Sequence, residues 1–292
     1  MADEQAFEQE LNGDDSRGYV FTMQLMMREK CEMPDRETMT AVLQKHIGSL
    51  ENFSHGDGSA GFAVTEYAVE NDGKTIPPML MITDCIETKN ENIDAFTRSQ
   101  MWDCPEHEEI LENCGYQVVA TDMLGGMLEP KDRAAMLMDF LEALIELYPS
   151  CEAVYFQSSG KMFTADRIRS HSIPRENRFI YFAVNVRFFN IEGTQDMLVD
   201  TLGMDILFLP DLQYHFHGAD PNHVVSHAYS ILSYIFDNDC PIEDGDTVDG
   251  MENGEMSMDI QWQCRYEDSL IQPFREVIDI CMNEFASGSR DS

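Results

Sequence analysis

Residues 209–229, LPDLQYHFHGADPNHVVSHAY, carry four of the eight histidines in the chain. Imidazoles this dense act as zinc ligands when three or four of them, or of nearby carboxylates, converge tetrahedrally. His215 and His217 share one face of a strand, because strand side chains alternate, while His223 and His227 stand one turn apart on a helix. Asp211 or Asp220 would add an oxygen. A centre built from His215, His217, His223 and His227, with one position left to water, predicts a zinc-dependent hydrolase.

The elements that must position these rings argue the other way. Asp220 and Pro221 suffice as N-cap and first helical residue without any metal. Val225, Ala228, Tyr229, Leu232 and Phe236 form the apolar stripe of the helix that follows. With about 100° between successive residues, that stripe turns His223 and His227 away from a sheet, and His223 alone stays within reach of the strand pair. Surface histidines are therefore expected. No cofactor is expected either, and zinc or another divalent cation belongs to the alternative reading.

Charge sharpens the picture. From Phe188 to Cys264 there is no Lys or Arg, against fifteen Asp and Glu. Imidazolium is the cation on offer in that segment, so neighbouring carboxylates are expected to raise these histidines above free imidazole and leave a cation-seeking surface. The whole chain leans the same way, with 19 basic and 54 acidic residues and a formal net charge of −35. Such a field repels phosphate backbones and anionic lipid, so nucleic acid and membrane are excluded as expected partners and a basic protein or peptide is favoured.

Other constellations carry less. EDGDTVDGMENGE sets Asp244, Asp246 and Glu255 at the first, third and twelfth places of an EF-hand loop, but Val248 fills the fifth and Asp249 the sixth, where glycine is required. An acidic turn is the expectation, with loose cation binding by Asp244, Asp246 and Asp249 left open. Cys104, just before Pro105 and near His107, stands where a helix start favours a thiolate, yet the glutamates that follow oppose one. No nucleophile elbow, P-loop or dinucleotide fingerprint is present. The eight cysteines include no C-x-x-C pair and read as buried thiols. The start of the chain lacks a basic and apolar leader and no stretch is long enough to span a bilayer, so a cytoplasmic place is expected.

Hydrophobic periodicity predicts strands at 19–27, 61–70, 77–87 and 116–124, with a turn at NDGK, and helices from Asp35 and from Cys104. This β-α-β-β-α-β order predicts a ferredoxin-like first half in an α+β fold, its sheets mixed and largely antiparallel with helices on one face. A long helix follows in EPKDRAAMLMDFLEALIELY. Strands are then expected in EAVYFQSS, RFIYFAVNVRFFNIE, DILFLPDLQYHF and MSMDIQWQCRYE, with helices in PNHVVSHAYSILSYIFDN and PFREVIDICMNEF. The domains expected are an acidic disordered tail at 1–17, α+β domains at 18–150 and 151–286, and a disordered tail at 287–292.

DTLGMDILFLPDLQYHF, GDTVDG and EAVYFQSSGKMF resemble the signature stretches of a bacterial domain-of-unknown-function family, DUF4261-like, most closely over 196–250. Gly203, Pro210, Asp211, Gln213 and His215 fall in its recurring stretch, and the resemblance implies no enzymology, cofactor or partner. Together these features predict a non-enzymatic acidic binding module for a basic protein partner, with Asp211, Gln213, His215, Asp244, Asp246 and Asp249 as its binding residues. The alternative is a zinc hydrolase on His215, His217 and His223.

Overall fold

A computed structural model describes residues 6–7 and 20–288. The tail at 1–17, apart from residues 6 and 7, and residues 289–292 lie outside the described residues. The described chain forms two compact units, one made of Tyr19–Val184 and Ile206–Phe208, the other of Asn185–Asp205 and the chain from Leu209 onward.

The first unit comprises β1 (Thr22–Met27), α1 (Arg36–Ile47), β2 (Glu51–Gly56), β3 (Ser59–Ala63), β4 (Val69–Asn71), β5 (Lys74–Ile76), β6 (Met79–Thr83), β7 (Ile86–Glu87), α2 (Ala95–Arg98), α3 (His107–Asn113), β8 (Tyr116–Met123), α4 (Pro130–Leu147), β9 (Ala153–Phe156), β10 (Lys161–Thr164), α5 (Ala165–Arg169) and α6 (Arg178–Ala183). Asp35 caps α1 as expected, accepting from the Thr38 amide, and the NDGK turn joins β4 to β5. The main sheet runs β10-β9-β1-β8-β6-β3-β2. A ferredoxin-like unit would place β1 beside β6, whereas β1 pairs antiparallel with β8 and β9. Because β9 and β10 complete this sheet, the unit extends past the boundary expected at residue 150.

Helices also cover both faces of β1 rather than one. Met26 packs with Ile110 and Leu111 of α3 in one apolar cluster. Leu25 and Val118 are register partners on the other face, which they share with Asp122 by alternation. There Arg133 of α4 donates Nε and Nη2 to Asp122 at 3.1 and 2.8 Å. The strand expected from Arg178 splits, and Arg178–Ala183 are helical. Arg178 pairs with Asp139 and Glu142 of α4, which ties that turn of helix down.

The second unit comprises β11 (Asn185–Asn190), β12 (Met197–Leu202), β13 (Asp211–Phe216), α7 (Pro221–Asp237), β14 (Thr247–Glu252), β15 (Glu255–Asp268) and β16 (Glu276–Cys281). Its sheet runs β11-β12-β13-β16-β15-β14, antiparallel except where β13 meets β16. The last helix expected from sequence is instead β16. Val277, Ile278 and Ile280 are β-branched and fully buried in this central strand, and an apolar run covered on both faces loses its helical or strand period. The fold as a whole is α+β with largely antiparallel sheets. Among the described residues no helix is long and apolar enough to cross a membrane.

Candidate functional site

Alternation along the second sheet separates two kinds of face. Arg187, Asp200, Gln213, Asp279 and Arg265 are successive register partners across five strands, so they form one polar row. Leu212, Tyr214 and Phe216, one residue out of step with Gln213, are fully buried on the opposite face, where Tyr214 meets His227 of α7. The middle of the row is sealed: Asp200, Gln213 and Asp279 are each 0 % exposed. Arg187 donates Nε to Asp200 at 2.8 Å, and Gln213 donates to Asp279 at 3.2 Å while accepting from the Leu270 amide at 2.7 Å. Arg275 spans Asp200 and Asp211 at 3.0 and 3.1 Å. Asp211 also accepts from Thr201 Oγ1 and from the amides of Gly203 and Met204. Asp211 and Gln213, expected as binding residues, thus have their polar atoms engaged inside the sheet.

The four imidazoles fall into two pairs that fasten different segments. His227 belongs to the buried stripe of α7 with Val224, Ala228, Ile231, Leu232, Ile235 and Phe236, so the stripe expected through Val225 and Tyr229 is rotated. Its Nε2 lies 2.8 Å from the Asp249 carbonyl oxygen and its Nδ1 2.9 Å from the Tyr214 hydroxyl. A carbonyl only accepts, so Nε2 carries the proton and Nδ1 accepts from Tyr214. The ring also packs on Trp262, centroid to centroid 4.7 Å. Burial holds the His227 pKa below its ordinary value, opposite to the rise expected from the acidic surroundings.

His223 lies over the tip of the β14–β15 hairpin. Asn253 (φ 53°) and Gly254 (φ 85°) are both left-handed there, as a two-residue I′ turn demands. A Cβ at Gly254 would fall 2.5 Å from the His223 ring. The helix pair therefore clasps the hairpin to α7. Deeper in it, a Cβ on Gly250 would lie 2.7 Å from both Ile260 Cγ2 and Trp262 Nε1. Gly250→Val is expected to cost about 1–3 kcal/mol through overpacking, read as a lower denaturant midpoint.

The strand pair holds the end of the described chain. His217 donates its amide to Phe285 O at 2.8 Å, and His215 O accepts from the Ser287 amide at 2.9 Å. Ser287 Oγ donates to Asp196 at 2.9 Å and accepts from His217 Nδ1 at 3.0 Å, while His215 Nε2 stands 3.5 Å from Asp196. Ser287, expected in a disordered tail, is 5 % exposed. With the rings divided between two clasps, no group of three or more His, Cys, Asp or Glu able to hold a metal forms among the described residues. The four histidines of the alternative zinc reading, His215, His217, His223 and His227, do not converge on one centre among the described residues.

The EF-hand residues sit on a loop and a hairpin instead of around a common centre. Asp244 accepts from the Tyr266 amide at 2.9 Å, Asp246 from the Glu243 amide at 2.8 Å and Asp249 from Gln261 at 2.7 Å. Cys104 is fully buried, and burial first, then the Glu106 charge, push its thiol up to about 11, which removes the thiolate reading. What faces water is negative: Asp237, Asp239, Glu243, Asp244, Asp246, Glu252, Glu255 and Asp259 are all exposed along the end of α7, the following loop and the hairpin.

No curated protein and no solved structure matches the chain. A family model does match, and it begins at Asp200 of the polar row and ends at Cys281 of β16, leaving the EAVYFQSSGKMF stretch outside. Residues 200–281 match the model of Domain of unknown function (DUF4261), the family that the sequence resembles.

Proposed function

We propose that the second unit is a non-enzymatic binding module whose acidic rim holds a basic protein partner in the cytoplasm of a bacterial cell. The observation that carries this reading is the rim itself: eight exposed carboxylates between Asp237 and Asp259, in a stretch without a single Lys or Arg. Groups with chemical potential elsewhere in the unit are spent on holding it together. Asp200 and Asp211 are neutralised by Arg187 and Arg275, Gln213 is bonded through both its amide nitrogen and its amide oxygen, and both nitrogens of His227 are bonded. Charge exposed to water acts at long range, favouring fast encounter with a partner of opposite sign.

Oligolysine binding to the whole protein tests the reading by calorimetry. Affinity is expected to fall at least about tenfold as salt rises from about 0.05 to about 0.5 M, since exposed charge is screened over a Debye length. Asp244→Asn, Asp246→Asn, Glu252→Gln and Glu255→Gln together are expected to weaken it a further tenfold or so, at a few tenths of a kcal/mol per exposed pair. Neutralising Asp57, Asp72, Glu87 and Glu91 of the first unit is the control. An equal loss there would mean that net charge acts and the rim does not.

A further inference from the structure

The hairpin tip combines the rim with exposed apolar side chains. Met256 is 47 % and Met258 82 % exposed. Their exposure follows from the strand geometry. Gly250 pairs with Ser257 and would point a side chain at Trp262, so Met251 and Met256, the next pair along, face the opposite side from α7. Past Ser257 the register jumps, with Asp249 opposite Gln261, and residues 258–260 bulge out. Gln261 pins that bulge by donating Nε2 to Met258 O at 3.1 Å and to Asp249 Oδ1 at 2.7 Å. A folded hairpin therefore presents Met258 to water at a fixed place, with Glu252, Glu255 and Asp259 exposed beside it.

We infer that this tip docks a basic amphipathic segment of a partner protein, with Met256 and Met258 taking its apolar side chains and the neighbouring carboxylates its lysines or arginines. The inference rests on the acidic-rim reading and adds the apolar half of the partner. Methionine suits the task because its unbranched thioether repacks against varied shapes. Charge decides between occupants: a second copy would bring Glu252, Glu255 and Asp259 against their own kind, whereas a basic segment neutralises them.

Two peptides of equal length and equal lysine content separate the terms, one with leucines on a helical stripe and one with serines in their place. The whole protein is expected to bind the leucine peptide about tenfold more tightly than the serine peptide, for roughly one well-buried apolar contact. Met256→Ser with Met258→Ser is expected to erase that preference and leave the serine peptide's affinity unchanged. Both side chains are exposed, so folding, read by circular dichroism, should be unaffected. Equal affinity for the two peptides in the wild-type protein, or a preference that survives the double substitution, overturns the methionine inference while the rim reading stands. If neither peptide binds at low salt, both fall. Concentration-dependent dimerisation that the double substitution abolishes and the leucine peptide fails to displace would assign the tip to a second copy and overturn it as well.

Discussion

Arg275→Met is expected to destabilise the second unit by about 3–5 kcal/mol, the range for removing one partner of a buried ion pair. Arg187 and Arg275 stand against Asp200 and Asp211, so the cluster is balanced; Arg187, Asp200 and Asp211 are buried in the sheet, and the Arg275 side chain, just before β16, is 9 % exposed. Removing Arg275 strands a negative charge there. Asp200 keeps Arg187, so the orphan is Asp211, which retains only the Thr201 hydroxyl and two amides. Those three donors set the expected loss near the lower end. Arg275→Lys is expected to lose less, about 1.5–3 kcal/mol, because an ammonium keeps the charge but lacks the planar fork that reaches both carboxylates at once. Adding Asp211→Asn to Arg275→Met should restore part of the stability by removing the orphaned charge. Urea midpoints for the four proteins decide the matter, and an unchanged midpoint in Arg275→Met would show that the pair contributes nothing net.

This network also marks the limit of what the sequence makes legible. Of the fifteen acidic residues between Phe188 and Cys264, Asp200 and Asp211 look uncompensated because Arg187 lies one residue before that window and Arg275 beyond it. Pairing across a sheet is set by register, and register depends on strands such as β16 whose apolar runs have no readable period. Elements with local signals fared better. Asp35 and Asp220 are N-caps as expected and α4 forms where its apolar periodicity places it, whereas the stripe of α7 is rotated. For the histidines a signal was present. Val224, Ala228, Ile231 and Ile235 recur at helical spacing, and His227 completes that stripe once a histidine is admitted to a core. Counting it as polar rotates the helix and sends the ring outward. What lay beyond any local pattern was the division of labour, since the carbonyl that His227 binds and the serine that His217 binds are 22 and 70 residues away.

Acid is expected to loosen the second unit through His227 specifically. The ring is neutral and 1 % exposed, and burial lowers its folded pKa below the ordinary 6.5. The unfolded chain, with its ordinary imidazole, then binds the proton more readily than the folded one. Stability is therefore fully present above about 6.5 and is lost as pH falls below it toward the depressed folded value. Protonation would make Nδ1 a donor facing the Tyr214 hydroxyl, which must reverse and aim its own proton into an apolar core. The Asp249 carboxylate opposes the shift from the far side without cancelling burial. His227→Leu removes the titration at a cost of about 2–4 kcal/mol, since the Tyr214 hydroxyl and the Asp249 carbonyl both lose their partner. Denaturant unfolding from about pH 8 to about pH 5 checks the sign: wild-type stability should fall more steeply than that of His227→Leu below about 6.5, the remaining histidines being common to both. Parallel curves would mean that the ring titrates freely in the folded protein, and the clasp on β14 would then not depend on its neutral form.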